Sequence, residues 1–511
     1  MRNLKNQPVL ILGLGASGLA MARWCARCGA QVTVVDTRSE PPALSTLREQ
    51  LPQVTFVCAE LSAALVEATS IRAVFKSPGL SPEAVAPVWN AAKAMGLWTG
   101  GELSLFAAAL KDLNDDQAYE SKVLAITGTN GKTTVTSLTG QLVERSGKSV
   151  AVAGNIGPTL LDTLADRIYQ CTLPEVWVLE LSSFQLDGVA GFEPTAATVL
   201  NITQDHLDWH GNMQAYAQAK AAVFGSQGLM ILNREDAAVI AMAPTAEEIK
   251  KKLKPARNVL TFGGDMPLRP GDFGIEVLNG MAWLVRAHEA DETRRVKKRG
   301  SVAEEDEIHI QRLMPADALR IRGRHNAVNA LAALALSSAA GCALGPVLYA
   351  LRDYRGEPHR VEPVAIINDV EYFDDSKGTN VGATVAALKG LGAERRVVVI
   401  LGGEGKGQDF SPLAEPVSQF VRAVVLIGRD APLIREALAL SNISLMDAGS
   451  MLEAVQLAAG RANPGDAVLM SPACASFDMF KNYEHRAEVF RAAVQSVGEE
   501  AGVEVSTGAP T

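Results

Sequence analysis

The stretch Val123-Leu124-Ala125-Ile126-Thr127-Gly128-Thr129-Asn130-Gly131-Lys132-Thr133-Thr134 decides how this chain is read. Its apolar run from Val123 to Ile126 has the length and composition of a buried strand, and Gly128 and Gly131 break it into a loop. Lys132, Thr133 and Thr134 then open a helix. Such a loop turns backbone N–H groups toward phosphate oxygens, its lysine carries charge to the β and γ phosphates, and a Ser or Thr hydroxyl ligates Mg²⁺. The general pattern would place a further glycine at Ile126, so this is a shorter form. A tight turn with a solvated lysine would not need strand, glycines, lysine and paired threonines in this order. An ATP site is therefore expected at Gly128, Thr129, Asn130, Gly131, Lys132, Thr133 and Thr134.

Downstream, three more strand-like runs end in polar groups. Ala151 to Ala153 enters the loop Gly154-Asn155-Ile156-Gly157, and Val176 to Leu179 delivers Glu180, Ser182 and Ser183. A carboxylate at the end of a buried strand beyond a phosphate loop suits a nucleotide-bound Mg²⁺. Thr198 to Ile202 leads to Gln204, Asp205 and His206. His206 and His210 have H-x-x-x-H spacing, but no Glu follows His206, which argues against a zinc peptidase. Lys220 lies among Ala217, Ala219, Ala221, Ala222 and Val223. Most lysines in such a place reach solvent; a buried one has its pKa lowered, and a neutral amine can add CO₂ to become an anionic carbamate.

Upstream, Val9 to Leu12 runs into Gly13-Leu14-Gly15-Ala16-Ser17-Gly18, and Gln31 to Val35 ends at Asp36. Strand, G-x-G-x-x-G, helix and a later acid form a dinucleotide-type fingerprint, which alone is a weak signal. Ser77-Pro78-Gly79 follows the apolar Ala73-Val74-Phe75. This first unit is expected to end near Ala109, with Lys111 to Lys122 as a polar linker.

Toward the other end, regularity fails from Met281 to Glu307, where Arg294 to Arg299 oppose Glu304 to Glu307, and an exposed loop or extended hairpin is expected. Arg355 to Arg360 reads as a hinge, Val364 to Asp375 as a hairpin around Asn368-Asp369. Apolar runs at Val397–Leu401, Val421–Gly428 and Ala467–Met470 then indicate a further doubly wound sheet.

Composition bounds these readings. At 511 residues and 48% apolar content the chain is long enough for about three domains, each with its own core. A net charge of −9 without a basic stripe argues against nucleic acid. Six scattered cysteines read as reduced thiols of a cytoplasmic enzyme, and Cys25 and Cys28 as helical neighbours rather than half a zinc site. Arg2, Lys5 and Ala20-Met21-Ala22 mimic a signal peptide, but the glycine loop accounts for those residues better. The charge-free, Ala-rich His325 to Leu351 carries Gly341, Gly345 and Pro346 and reads as buried helices, so no membrane span is expected.

Taken together, GTNGKTT (128–134), AGNIG (153–157), LELSSFQL (179–186), NITQDHLD (201–208), GRHNAVNA (323–330), PHR (358–360), DDSKGTN (374–380), GGEGKGQDF (402–410) and SPACASFDMFKNY (471–483) resemble the Mur ligases. The last two resemble the members that add D-glutamate. The resemblance implies an α/β chain of three domains: an N-terminal Rossmann-like domain (1–111), a central P-loop ATPase domain (112–357) and a C-terminal Rossmann-like domain (358–511). It implies ATP-driven joining of D-glutamate to UDP-N-acetylmuramoyl-L-alanine through an acyl phosphate, in a cytoplasmic monomer. UDP-substrate contacts fall to Gly15, Ala16, Ser17, Asp36, Thr37, Arg38, Ser77, Pro78, Gly79, Asn155, Ser182 and Ser183. Catalysis falls to Lys132, Glu180, His206 and Lys220, with two Mg²⁺ sites among Thr133, Glu180, His206 and carbamylated Lys220. Asn326, Asn329, Arg360, Asp375 and Lys377 join the ATP set, and Thr379, Lys406, Ser476, Phe477 and Tyr483 take D-glutamate. Gln204 replaces a usual Glu and Gly378 a common Ala. A nicotinamide oxidoreductase would leave the ATP loop idle, a folylpolyglutamate synthase would not need the first 110 residues, and a nucleotide switch would not need the last two loops.

Overall fold

The structure is a computed structural model that describes residues 2–253, 255–289, 308–393 and 395–503. The described chain separates into two compact units, Met1–Ile202 with His206–Phe262 and Ala332–Leu348, and Thr203–Asp205 with Gly263–Leu331 and Tyr349–Thr511.

The first unit holds two parallel sheets. One comprises β1 (Pro8–Leu12), β2 (Gln31–Asp36), β3 (Thr55–Cys58), β4 (Ala73–Lys76) and β5 (Trp98–Gly100), in the order β3-β2-β1-β4-β5. The chain reverses direction between β1 and β4, so the loops after these two strands flank the crevice where open α/β sheets bind ligands. The other comprises β6 (Lys122–Thr127), β7 (Val150–Gly154), β8 (Val176–Glu180), β9 (Ala196–Val199), β10 (Leu229–Asn233) and β11 (Val259–Phe262), in the order β11-β10-β9-β6-β8-β7. β6 therefore lies between β8 and β9, and the three loops beyond their carboxyl ends share one edge. One apolar core joins the sheets, running from Val9, Ile11 and Phe106 to Ala125, Trp177 and Leu179. Phe106 meets Trp177 edge-on with centroids 5.1 Å apart.

The presumed linker from Lys111 is helical to Gln117, as the end of a helix Glu102–Gln117, and Lys122 already begins β6. Its sequence KDLNDDQ is polar because most of this last stretch is exposed, not because it lacks helical structure.

The second unit contains the antiparallel strands β12 (Phe273–Leu278), β13 (Met281–Glu289) and β14 (Ile308–Pro315). In the stretch expected to be an exposed loop or extended hairpin, Met281–Glu289 is a regular strand paired antiparallel with Ile308–Pro315, as the hairpin alternative has it; the opposed charge blocks of 291–307 lie outside the described residues. A mixed sheet follows, made of β15 (Glu362–Ile367), β16 (Val370–Asp374), β17 (Val397–Gly402), β18 (Val421–Ile427), β19 (Ser444–Asp447) and β20 (Ala467–Met470), ordered β15-β16-β20-β17-β18-β19. β15 and β16 form the expected hairpin, turned by left-handed Asn368 and Asp369 (φ 51° and 62°). The remaining pairs are parallel, and β20 is flanked by β16 and β17. The loops after β16, β20 and β17 are therefore neighbours.

Between the hairpin and the earlier strands, the Ala-rich stretch forms the helices Arg324–Ala339 and Leu344–Asp353. Among the described residues no helix is long and apolar enough to cross a membrane.

Candidate active site

At the β1–β4 crevice the glycine loop opens the helix Ala16–Arg27, with Gly15 as its N-cap. A Cβ on Gly18 would lie 2.0 Å from the Gly13 carbonyl oxygen, so the loop closes only with glycine there. Ser77 Oγ donates to that same oxygen at 2.9 Å, joining the loop after β4 to the loop after β1. Asp36 is buried and accepts from Leu14 N (2.8 Å) and from Arg38 N, Nε and Nη2 (3.0, 2.8 and 2.8 Å). The Arg38 guanidinium holds its carboxyl down to about 2. Asp36 ends β2, and Gly15, Ala16, Ser17, Thr37, Arg38, Ser77, Pro78 and Gly79 lie in the loops or first turn at this edge.

At the β6 edge, Gly128 and Gly131 have φ of 149° and 83°, and a Cβ on Gly128 would sit 3.0 Å from Leu200 Cβ. Asn201 clamps the loop: its Oδ1 accepts from Asn130 N (2.8 Å), its Nδ2 donates to Asn130 O (3.1 Å), and its carbonyl accepts from Thr129 N (2.9 Å). Lys132 Nζ donates to the carbonyls of Gly128 (2.9 Å) and Thr129 (2.8 Å), while Thr133 and Thr134 are buried in the first turn of the helix Lys132–Arg145. Glu180 ends β8 almost wholly buried; Oε1 accepts from Asn155 Nδ2 at 3.0 Å and Oε2 has no hydrogen-bond partner. A buried carboxylate oxygen without a donor is stable only if a proton or cation reaches it.

Lys220 is 1% exposed, against the default for lysine. Its Nζ donates to the Gly128 carbonyl at 2.8 Å and lies 4.7 Å above the Tyr216 ring, whose hydroxyl is 3.1 Å from Thr129 Oγ1. Phe184, His206, Trp209 and His210 build the adjoining wall, with the Phe184 centroid 4.7 Å from His206 and 4.7 Å from Trp209. His210 Nε2 lies 2.9 Å from Ser183 Oγ, and burial pushes its pKa down to about 4. Ser182 caps the short helix Ser183–Leu186 in a capping box with Gln185.

In the second unit, Asn329 Nδ2 donates to Asn326 Oδ1 (3.2 Å) on the helix Arg324–Ala339. The three loops beyond β16, β17 and β20 interlock. Glu404 and Ala475 exchange two main-chain hydrogen bonds, both 2.9 Å, and Gln408 Oε1 accepts from Val381 N at 3.0 Å. Arg486 is fully buried beneath them; its guanidinium donates to the carbonyls of Cys474 (3.1 Å) and Ser376 (2.7 Å), and burial lowers its pKa to about 10. Asp374 accepts from Ser376 N and Oγ (2.9 and 2.6 Å) and is 2.7 Å from His359 Nδ1. Burial pushes Asp375 up to about 7, although Ser471 Oγ donates to it at 2.6 Å. That carboxylate occupies space freed by Gly378, where a Cβ would be 2.5 Å from Asp375 Oδ2. Lys377 Nζ lies 5.3 Å over the Tyr483 ring and Lys406 Nζ 5.9 Å over Phe477, which is 65% exposed; Ser476 is buried and Thr379 partly so.

His359, Glu362 and Asp374 also bring potential metal ligands together, yet Arg491 already ion-pairs with Glu362 and lies 3.8 Å from Asp374. That cluster is satisfied by a guanidinium. Sequence reasoning missed His359, Asp374, Ser471 and Arg486 as organisers of this region, and Asn201 and Tyr216 in the first unit. A signal existed for Arg486: it stands on the stripe that continues through Phe490, Ala493, Val494 and Val497 on the helix Tyr483–Glu500.

Three family profiles match: "Mur ligase MurD-like, N-terminal domain" over residues 7–98, "Mur ligase middle domain" over 126–337 and "Mur ligase, glutamate ligase domain" over 359–474. A protein of Albidiferax ferrireducens named UDP-N-acetylmuramoylalanine--D-glutamate ligase is 67% identical over 510 residues, covering 100% of each chain. One of the same name from Polaromonas sp. is 57% identical, covering 98% of this chain and 100% of its own. Among solved structures, MurF from Acinetobacter baumannii superposes with a TM-score of 0.55 at 18% identity, covering 94% of this chain and 93% of its own. That last likeness concerns the fold.

Proposed function

The chain belongs to the Mur ligase family, and from that premise we propose how its residues share the family's reaction. It is an ATP-dependent ligase that adds D-glutamate to UDP-N-acetylmuramoyl-L-alanine in peptidoglycan synthesis. It has the family's N-terminal, middle and C-terminal domains, for which we propose the limits 1–111, 112–357 and 358–511.

The observation that carries the division of labour is the convergence on Gly128: a phosphate-type loop, two lysines on one carbonyl, and the strand of Glu180 beside that of the loop. Lys132 faces the β and γ phosphates of ATP. The substrate's alanyl carboxylate attacks the γ phosphorus, the bond from phosphorus to the bridging oxygen breaks, and ADP leaves with that electron pair. The D-glutamate amine then adds to the acyl carbon, loses a proton, and expels phosphate. Two anions must meet in the first step, so positioning and charge neutralisation dominate.

The unpartnered, buried Glu180 Oε2 fits a hard cation, and Thr133, Glu180, His206 and carbamylated Lys220 are the residues that would hold Mg²⁺. Bound there, Mg²⁺ would neutralise phosphoryl charge. Carbamylation joins the neutral Lys220 amine to CO₂ through a new N–C bond with loss of one proton, and turns a cation into an anionic ligand. Asn326, Asn329, Arg360, Asp375 and Lys377 complete the ATP contacts; Asn155, Ser182 and Ser183 line the muramoyl path after Gly15 to Ser17, Asp36 to Arg38 and Ser77 to Gly79 hold the UDP end. Thr379, Lys406, Ser476, Phe477 and Tyr483 receive D-glutamate. We place the enzyme in the cytoplasm as a monomer.

The deciding experiment follows phosphate release from ATP. Release should require UDP-N-acetylmuramoyl-L-alanine and D-glutamate together, and L-glutamate, L-lysine or diaminopimelate should not replace D-glutamate. Equal release with any of those amino acids would overturn the assignment of the C-terminal loops.

A further inference from the structure

Lys76 is the last residue of β4 and only 4% exposed, a burial that lysine rarely shows unless it is paired. Its Nζ is 2.5 Å from Asp187 Oδ2 and lies over two indole faces, 5.3 Å from the Trp89 centroid and 5.7 Å from that of Trp209. Asp187 and Trp209, and the next residue of the chain, belong to segments that carry groups of the reaction. Ser77, the next residue, fixes the nucleotide loop through Gly13 O. Asp187 directly follows the helix Ser183–Leu186 and its N–H donates to Ser183 O at 3.0 Å. Trp209 sits in the helix Leu207–His210, which His206 caps.

The ammonium is one of three groups packed around Trp209. Its indole Nε1 is buried without a hydrogen-bond partner, so ring packing and the cation hold it: Phe184 at 4.7 Å, His210 at 4.4 Å and Lys76 at 5.7 Å. Ser183 is held from the other side by His210. One buried charge thus joins the crevice at β4 to the segments that carry Ser182, Ser183 and His206.

We propose that Lys76 is a positioning residue for the ligation, registering the muramoyl end of a substrate anchored at the UDP loops against the phosphoryl-transfer groups. The proposal rests on the ligase reading above. A displacement of the reacting carboxylate by about 1 Å is enough to cost on the order of a hundredfold in rate, while the UDP contacts, which Lys76 does not make, stay in place.

The test uses the full chain with Lys76→Met, which keeps the stem and removes the charge, Lys76→Arg, which keeps a cation that stacks on indole, and Asp187→Asn. Steady-state ligation is measured well below the melting temperature, and UDP binding by calorimetry. In Lys76→Met, kcat should fall at least about thirtyfold with UDP affinity within twofold of wild type, and Lys76→Arg should recover most of the loss. A purely structural seam would lower the melting temperature and leave kcat alone; that result, or equal loss in Lys76→Arg and Lys76→Met, overturns the proposal. If Lys76→Met does not fold, Asp187→Asn decides: a fall in kcat with UDP affinity kept supports the proposal, and unchanged kcat overturns it. Absence of ligation by the wild-type protein would instead refute the ligase reading.

Discussion

At the phosphate loop the fixing groups are main-chain atoms, the neutral Asn201 side chain and two lysines: Asn201 holds Thr129 and Asn130, Lys132 donates to the carbonyls of Gly128 and Thr129, and Lys220 donates to that of Gly128. Across 374–380, 402–410 and 471–483 the fixing groups are largely buried and ionisable: Asp374 on Ser376, Asp375 on Ser471, Asp430 on Gly405 N, and Arg486 on two carbonyls. The first arrangement depends chiefly on glycine backbone geometry, with the two lysines donating to carbonyls that this backbone already positions. The second depends on each ionisable partner being present, because in a low-dielectric interior a partner left alone costs the full desolvation of its group. Removing a side chain should therefore strike chemistry in the first region and architecture in the second.

The largest effect tests that contrast directly. Lys132→Ala should lower turnover at least about a thousandfold, roughly 4 kcal/mol of transition-state stabilisation, while a urea melt stays close to wild type. Near-normal ligation would refute the role, and a collapsed melt would show that the loop is not held by its backbone.

Next comes Lys220, the one buried charge of the first region whose sign is in question. Lys220→Ala and Lys220→Arg should both lose at least about a hundredfold in kcat, of the order seen when a positioned electrostatic group is removed, since arginine cannot form the carbamate. Millimolar acetate should restore part of the alanine variant's activity, and neutral acetamide should not. A fully active arginine variant would return Lys220 to a structural role on Gly128 and Thr127.

In the second region, Arg486→Met strips the guanidinium from the buried carbonyls of Cys474 and Ser376. At about 1–3 kcal/mol for each polar group left unsatisfied, the unfolding free energy should drop by about 3 kcal/mol, read by urea denaturation. The KM for D-glutamate should rise as the loop loosens, with ADP affinity unchanged. A variant as stable as wild type would break the comparison at its second term.

The smallest effect concerns pH. Asp375 has its pKa raised from 3.8 to about 7 by burial, so between these values the folded protein holds a proton that the unfolded chain has released. This group's contribution to stability is therefore most favourable below about 4, declines as pH rises, and is fully lost above about 7. Asp375→Asn removes the titration, so its melting temperature relative to wild type should climb by a few degrees across that window. A flat difference would show that the carboxyl is not desolvated. Asp36 has the opposite sign: held at about 2 by Arg38, it adds stability above 3.8 that is lost as pH falls toward 2.

Legibility in the sequence follows the same division. The phosphate loop is written in consecutive residues, because backbone conformation and glycine placement are local properties. The sheets were legible from apolar runs such as Val397–Leu401, and the hairpin from Asn368-Asp369 between two alternating stretches. Short edge strands, such as Thr55–Cys58 and Ser444–Asp447, carry too little apolar pattern to announce themselves. The partners of the buried charges were illegible for another reason. Lys76 looks like a surface residue until the topology brings Asp187 and Trp209 around it, and Arg486, though it stands on an apolar helix stripe, meets Cys474 and Ser376 only in the fold. Lys220 was suspected from its apolar neighbours, yet only the fold supplies its contact with Gly128.

The paired hydrogen bonds between Glu404 and Ala475 carry a consequence for anyone redesigning amino-acid preference. Gly403 packs against the same partner, since a Cβ there would stand 2.3 Å from Ala475 O. The two loops are thus a single graft unit: a one-residue insertion in either would slide its register against the other. A transplant of 471–483 from a relative of different specificity needs the matching 402–410 segment moved with it, and libraries that vary one loop alone will mostly sample mismatched pairs.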